Sequence, residues 1–253
     1  MKLVAIILAH NEAEHIQDCI ASLLWTDEVV VFESGSTDDT VALAKAAGAT
    51  VITHPFEHFA AQRNAALQAV DADWVLFVDA DERVTPELAK EIQSTLQNPS
   101  YMGYNIPRHN YIFGKLTRHT GWYPDYQLRL LKRDSAHYDP NIRVHEVVIL
   151  ADNASAGYLQ NPLIHYNYRD LAQFIRKQRY YAKLDAEIWY HQGIRPKPRN
   201  FILQPLRAFK RRFITWQGYK DGWHGFRLSV LMAWNEWDKY WQLWKLTRQR
   251  DTR

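Results

Sequence analysis

The sequence predicts an α/β fold: a doubly wound, mostly parallel sheet followed by a C-terminal amphipathic helical extension. Three observations carry this expectation. Strand and helix signals alternate along the first third of the chain. The strand segments are short apolar runs, as expected of buried strands. Beyond Gly193 the composition turns basic and aromatic, with apolar residues at helical spacing.

Residues 4–8 (Val-Ala-Ile-Ile-Leu) read as the first strand. From 12 to 25, Ile16, Cys19, Ile20 and Leu23 repeat with helical period. Residues 28–32 form a second apolar run. The polar stretch 34–40 is a turn able to cap a helix over 41–47, which Gly48 ends. A third strand covers 49–53, a helix 59–70, and a fourth strand 74–78. Thr85 and Pro86 open another helix, as cap and first residue. The middle, 101–168, offers short strand-like runs at 103–107, 127–131 and 144–150 between polar and aromatic turns, the make-up of a substrate face. Residues 170–192 are helical, and 193–198 (Gly-Ile-Arg-Pro-Lys-Pro) read as a linker before two amphipathic segments. The expected division is therefore a catalytic domain over 1–193, with 1–100 and 101–193 as its two sides, and an extension over 194–253.

Bulk properties narrow the function classes. With 253 residues, 47% hydrophobic and 23% charged, the chain is globular and long enough for one large domain or one domain with an appendage. Cys19 is the sole cysteine, which excludes an internal disulfide and a thiolate-rich metal site and fits a reducing cytoplasm. The opening run reads as a buried strand rather than a secretory signal, and no stretch approaches the roughly 18 apolar residues of a membrane span. The net charge of +3 hides an asymmetry: residues 195–253 hold 14 Lys+Arg against 4 Asp+Glu, and six of the ten Trp.

The chemistry-bearing residues fall on loops after the strands. Asp79-Ala80-Asp81 ends the fourth apolar run. By strand alternation both carboxylates point one way from the carboxyl end, where open α/β sheets bind ligands. Like charges so close need a cation or a set of donors, and a divalent ion of the Mg²⁺ or Mn²⁺ type holding a diphosphate suits them. The first loop, Ala9-His10-Asn11-Glu12, either bonds a ribose or base or caps the next helix. The absence of Gly-x-Gly-x-x-Gly argues against a dinucleotide site. Glu33 follows the second strand and can accept from a nucleobase N–H, while the Ser, Thr and Asp residues after it build the turn. Arg63, in the helix before the fourth strand, either reaches a nucleotide phosphate or forms a surface ion pair.

Taken together, Val4 to Glu12, Glu33 to Thr40, Gln62-Arg63-Asn64-Ala65-Ala66-Leu67 and Val78-Asp79-Ala80-Asp81-Glu82 resemble, in order and spacing, the family 2 glycosyltransferases with the GT-A fold. Tyr126 to Arg133, Val144-His145-Glu146 and the Gly218-Tyr219-Lys220-Asp221-Gly222 region are similar to the branch containing lipopolysaccharide-core glucosyltransferases. The resemblance implies a nucleotide-sugar donor, a UDP-sugar first, a Mg²⁺ or Mn²⁺ ion, and inversion at the anomeric carbon. It implies that Asp81 ligates the metal, that Asp79 binds ribose or shares the metal, and that Ala9, Asn11, Glu12, Glu33 and Arg63 line the nucleotide pocket. Glu33 stands where the family usually has Asp. An inverting transfer needs a carboxylate to take the acceptor's proton. Glu146 is the first candidate for that base and Asp125 the second, with His145 assisting the metal or orienting Glu146. Trp122, Tyr123 and Tyr126 offer a stacking platform for a sugar, or ordinary packing.

In the tail, Val230, Trp234, Trp237, Trp241 and Trp244 advance by alternating steps of four and three, beside a basic segment around Arg207 and Lys210 to Arg212. Such helices suit an anionic membrane surface, or packing on the catalytic domain or a second copy. No nucleic-acid-binding motif accompanies the charge. The expected enzyme moves a hexose onto a glycan or lipid-linked acceptor at the cytoplasmic face of a membrane. A metal-dependent phosphohydrolase using Asp79 and Asp81, and a non-catalytic scaffold of the same fold, are the alternatives.

Overall fold

The computed structural model describes residues 1–140 and 147–251. In chain order its elements are β1 (Leu3–Ala9), α1 (Ile16–Ala21), β2 (Glu28–Glu33), α2 (Thr40–Ala46), β3 (Thr50–Thr53), α3 (Phe59–Ala69), β4 (Trp74–Asp79), β5 (Glu82–Val84), α4 (Pro86–Gln97), β6 (Gly103–Ile112), β7 (Lys115–Leu116), β8 (Tyr126–Lys132), β9 (Ala136–Tyr138), β10 (Val148–Leu150), β11 (Gly157–Tyr158), β12 (Leu163–Tyr168), α5 (Leu171–His191), α6 (Asn200–Lys210) and α7 (Gly222–Asp251). The main sheet runs β3-β2-β1-β4-β8-β6-β12-β5, with β11 and β7 on β6. The pairs β3/β2, β2/β1 and β1/β4 are parallel, and β8 returns antiparallel against β4. The chain divides into two compact units, Met1–Arg108 with Asp125–His165, and His109–Pro124 with Tyr166–Arg253. The boundary expected at Gly193 lies inside the second unit, between α5 and α6.

In the first unit the apolar runs are covered on both faces, as parallel strands require. Leu3, Ala5 and Ile7 of β1 join one core layer with Ile16, Cys19 and Ile20 of α1 and Leu88, Ile92 and Leu96 of α4. Val4 and Ile6 point the other way, into a layer with Ala60, Ala66 and Leu67 of α3 and Tyr138 and Leu150 of the β9–β10 hairpin. Capping follows the sequence for α4, where the Thr85 hydroxyl accepts from the Leu88 N–H at 3.2 Å ahead of Pro86. The first helix is shorter than its periodicity predicts. Its expected start is pulled into a turn, because the Glu12 N–H donates to the Thr40 hydroxyl (2.8 Å) and the Ala13 N–H to the Asp38 carboxylate (3.2 Å). At its end the Ser22 hydroxyl donates to the Cys19 carbonyl at 2.7 Å.

In the second unit α5, α6 and α7 assemble beside a small core of Ile112, Tyr168, Phe174, Leu228 and Met232. The tryptophan stripe is largely turned on itself. Trp237 stacks on Trp241 at 5.5 Å and Trp241 on Trp244 at 4.9 Å. Phe201 of α6 meets Trp237, and Arg179 of α5 lies over Trp234. Further exposed apolar side chains are Ile202 and Leu206 on α6, Ile214 in the π-helical turn after it, and Trp223, which stacks on Phe226 yet is 77% exposed.

Candidate active site

The parallel register levels three strand ends. Ala9 aligns with Glu33, and Leu8 with Asp79, so the loops after β1, β2 and β4 leave the sheet at one edge. This is the edge at which doubly wound sheets bind ligands.

The first two loops are stitched together. Asn11 sits in the left-handed region (φ 56°), and its side-chain oxygen accepts from the Thr37 N–H at 2.8 Å and from the Thr37 hydroxyl at 3.3 Å. Glu33 is 4% exposed and accepts from the Ser36 N–H at 2.8 Å. Burial opposes its ionisation, but donors from Ser36, Thr53 and Gly35 prevail and hold the carboxyl below its usual range. Asn11 and Glu33, expected to touch the nucleotide, thus have loop-building bonds. Ala9 and Glu12 line a cavity of about 420 Å³ with Phe32, Phe56, Phe59 and Gln62. Phe56 and Phe59 meet edge to face at 5.2 Å, and both are about half exposed at its wall.

A second cavity, of about 580 Å³, is lined by Arg63, Asp79, Arg108, Gln127, Arg129 and Tyr138 among others. Here Asp79 and Asp81 have different surroundings. The strand ends at Asp79, and residues 80–81 turn into β5, so alternation does not carry through to Asp81. Asp79 is bonded by Arg63 at 3.1 Å and by Arg129 through both oxygens. Its compensation comes from guanidinium donors. Burial works against ionisation, but Arg129 and Arg63 hold the Asp79 carboxyl far below the usual range, and Asp79 and Glu82 in turn raise Arg129. Arg63 is 5% exposed and lies over the Phe77 and Tyr138 rings at 5.0 and 5.6 Å, so it is no surface ion pair.

Glu82 is fully buried and organises the rest. It accepts from the Asp79 N–H at 2.9 Å and from Arg108 at 3.2 Å, with Arg129 at 3.5 Å. Arg108 also grips Asp125 at 2.7 Å, and the Gln127 amide donates to the other Asp125 oxygen at 2.9 Å. Arg108 and Gln127 fix the orientation of this carboxylate, and the guanidinium lowers its basicity. Asp81 stands apart, with its carboxylate 3.5 Å from His165 Nε2. His145 and Glu146, and Arg143 beside them, lie outside the described residues. Of the aromatics expected to stack on a sugar, Trp122 packs on Tyr168 in the second unit, and Tyr126 on Tyr158 in the first.

Glu82, Arg108, Arg129 and His165 were not singled out from the sequence. Glu82 ends the Val78 to Glu82 motif, and Arg129 lies within the Tyr126 to Arg133 run. Arg108 and His165 carry no local signal, since tertiary pairing alone brings them to the site.

A divalent cation is tested by this donor set. Among the described residues no three His, Cys, Asp or Glu side chains gather as a metal cage. Mg²⁺ and its relatives need only one or two protein ligands when substrate phosphates and water complete the shell. The 3.5 Å between Asp81 and His165 is near the ~3 Å separating adjacent ligand atoms around such an ion. The residues fit.

This architecture is that of a glycosyltransferase. A family model described as "Glycosyl transferase family 2" matches residues 4–166, and the chain belongs to that family. It is 28% identical over 237 residues to the lipopolysaccharide core biosynthesis glycosyltransferase LpsC of Rhizobium meliloti, covering 89% of this chain and 86% of the relative. It is 30% identical over 251 residues to an uncharacterized glycosyltransferase of Rickettsia felis, covering 92% and 86%. Among solved structures, S. aureus TarS 1–349 in complex with UDP-GlcNAc superposes with TM-score 0.51 at 15% identity, covering 98% of this chain and 92% of that one. Glucosyl-3-phosphoglycerate synthase from Mycobacterium tuberculosis, in complex with Mn²⁺, UDP and glucosyl-3-phosphoglycerate, gives 0.50 at 18%, covering 78% and 81%. These superpositions establish the GT-A-like fold.

Proposed function

We propose that the enzyme is an inverting transferase that moves a hexose from a nucleotide sugar, a UDP-sugar first, to a hydroxyl of a glycan or lipid-linked acceptor. Synthesis of a lipopolysaccharide core or similar envelope glycan is the setting suggested by the name of the Rhizobium meliloti relative. The observation that carries the reading is the register that levels Ala9, Glu33 and Asp79, with cavities at that edge.

In this reading the base lies against Phe56 and Phe59, with Ala9 and Glu12 beside it. Arg63 and Arg129, anchored by Asp79, present positive charge toward the diphosphate. Asp81, with His165, would hold Mg²⁺ or Mn²⁺, which when bound would supply Lewis-acid stabilisation of the diphosphate charge. Glu146 takes the acceptor's proton, while Asp125 serves as counter-ion to Arg108. A phosphohydrolase is disfavoured, because Asp79, its required nucleophile, has its oxygens on two guanidiniums.

A transfer assay tests both reaction and base. Glu146→Gln is expected to keep donor binding and lose roughly 10²-fold or more in turnover, the scale of general-base loss. Asp125→Asn, by loosening Arg108, is expected to cost less. The reverse ranking assigns the base to Asp125. Release of phosphate from simple esters without sugar transfer overturns the reaction itself.

The second unit brings the enzyme to an anionic membrane surface from the cytoplasmic side. No described helix is long and apolar enough to cross a membrane. Support comes from exposed Ile202, Leu206, Ile214 and Trp223 beside exposed Arg199, Arg207, Lys210 and Arg211. Of the stacked indoles Trp237 is exposed, whereas Trp241 and Trp244 are partly buried. Because α5 and α7 share a core, truncation at Gly193 would unfold the unit, and point changes are the cleaner test. Full-length protein should float with anionic vesicles at low salt, and Leu206→Glu with Trp223→Glu should abolish flotation. Flotation of that double variant equal to wild type would exclude this surface.

A further inference from the structure

The second unit contains a cleft of its own, about 500 Å³, among whose lining residues are Arg118, His119, Tyr123, Trp216 and Gln217. We propose that it binds a pyranose ring carrying an anionic group, phosphate or carboxylate, on the acceptor. This rests on the glycosyltransferase reading and names the acceptor chemistry that the reading leaves open.

The cleft is built from two tied segments. The Thr120 N–H donates to the Trp216 carbonyl at 3.1 Å, and an Arg212 guanidinium N–H donates to the Thr120 carbonyl at 2.7 Å. Gly121 lies so close to Trp216 that a Cβ there would sit 2.3 Å from the indole, so the loop backbone fixes the ring from one side. Arg211 and Arg212 lie over the indole at 4.9 and 5.3 Å. Thr120 (φ 60°) and Gln217 (φ 55°) both hold left-handed backbones beside it, a strain that surrounding structure must maintain. For a β-branched residue such as Thr120 this is an outlier.

Trp216 and Tyr123 remain 39% and 38% exposed. Trp216, packed by Gly121 and covered by the two arginines, presents its exposed edge and Tyr123 its half-exposed ring; such apolar surface suits the apolar face of a sugar ring, whose hydroxyls then need polar partners. His119 and Gln217 supply them. The Asp221 carboxylate binds His119 Nδ1 at 2.7 Å and accepts from the His119 N–H at 3.0 Å, which leaves Nε2 as the ring's other polar atom. The charge in the cleft comes from Arg118, which lines it and is exposed. An anionic substituent on the sugar would pair with that guanidinium.

Saturation-transfer NMR on the full chain tests the proposal with glucose 6-phosphate, glucuronic acid and glucose as probes, and UDP as a separate ligand. The wild type should saturate the ring protons of an anionic sugar at millimolar concentration more strongly than those of glucose. A response to the phosphate alone, or to the carboxylate alone, identifies which group the cleft takes. Tyr123→Ala should lower the signal at least twofold, and Arg118→Ala should erase the preference for the charged sugar, both with UDP binding intact. Signals unchanged in both variants, or no preference in the wild type, overturn the site. Loss of UDP binding in the wild type would instead strike the donor reading.

Discussion

Asp81→Ala is expected to abolish sugar transfer while leaving the chain folded. Asp81 is in a turn, with a half-buried carboxylate 3.5 Å from His165 Nε2. Its removal opens no large cavity and strands no buried guanidinium. In the proposed site it removes a hard oxygen ligand from a cation with few protein ligands, so metal and diphosphate binding should fall together. The check is transfer activity against Mn²⁺ concentration, with a thermal melt as the folding control. Full activity of the variant at low Mn²⁺ would remove Asp81 from the site.

Asp79→Asn should fail differently, by losing stability. The change leaves Arg129, 5% exposed, and Arg63 with a neutral amide in place of their shared carboxylate. Breaking a fully buried pair from one side costs about 3 kcal/mol; with Asp79 one-third exposed and Glu82 still beside Arg129 the loss should be nearer half of that, roughly 1.5 kcal/mol, which for a chain of this size lowers the melting midpoint by roughly 3–6 °C. The pH dependence has a definite sign. The folded carboxyl titrates below its unfolded value of about 3.9, so its contribution is fully present above that pH and is lost as pH falls through the folded value. The gap between wild type and variant should therefore stay flat from about pH 5 to 8 and shrink only below about 4. Adding Arg129→Met to Asp79→Asn should recover part of the loss, since the uncompensated charge is what costs. A variant as stable as wild type would show that the arginines need no carboxylate here.

The two carboxylates of one short motif thus divide into a structural anchor and a proposed ligand, and this division was not legible in the sequence. The parallel strands were, because each is an apolar run bounded by caps and turns, and Leu3–Ala9 and Trp74–Asp79 formed where those runs lie. The loops were legible as loops but not in their internal bonding. Asn11 and Glu33 read as ligand contacts, and the bonds they accept from the Thr37 and Ser36 N–H groups, which build the loop, carry no signal in the sequence. Arg108 and His165 reach the site through β6 and β12, whose positions depend on pairing across long sequence separations. In the tail, the spacing of Trp237, Trp241 and Trp244 correctly predicts one helical stripe, yet spacing cannot say whether the indoles face lipid, protein or one another. They stack.

The central claim is that the edge of the sheet beyond Ala9, Glu33 and Asp79 holds a nucleotide sugar. Thermal stability of the full chain against a panel of nucleotide sugars, with and without Mn²⁺, tests it directly, since a ligand that binds the native state raises the melting midpoint with its concentration. A UDP-sugar is predicted to raise the midpoint of the wild type in a saturable, Mn²⁺-enhanced manner, and the Mn²⁺ enhancement should vanish in Asp81→Ala. A midpoint unmoved by every nucleotide sugar, with Mn²⁺ present, would contradict the account.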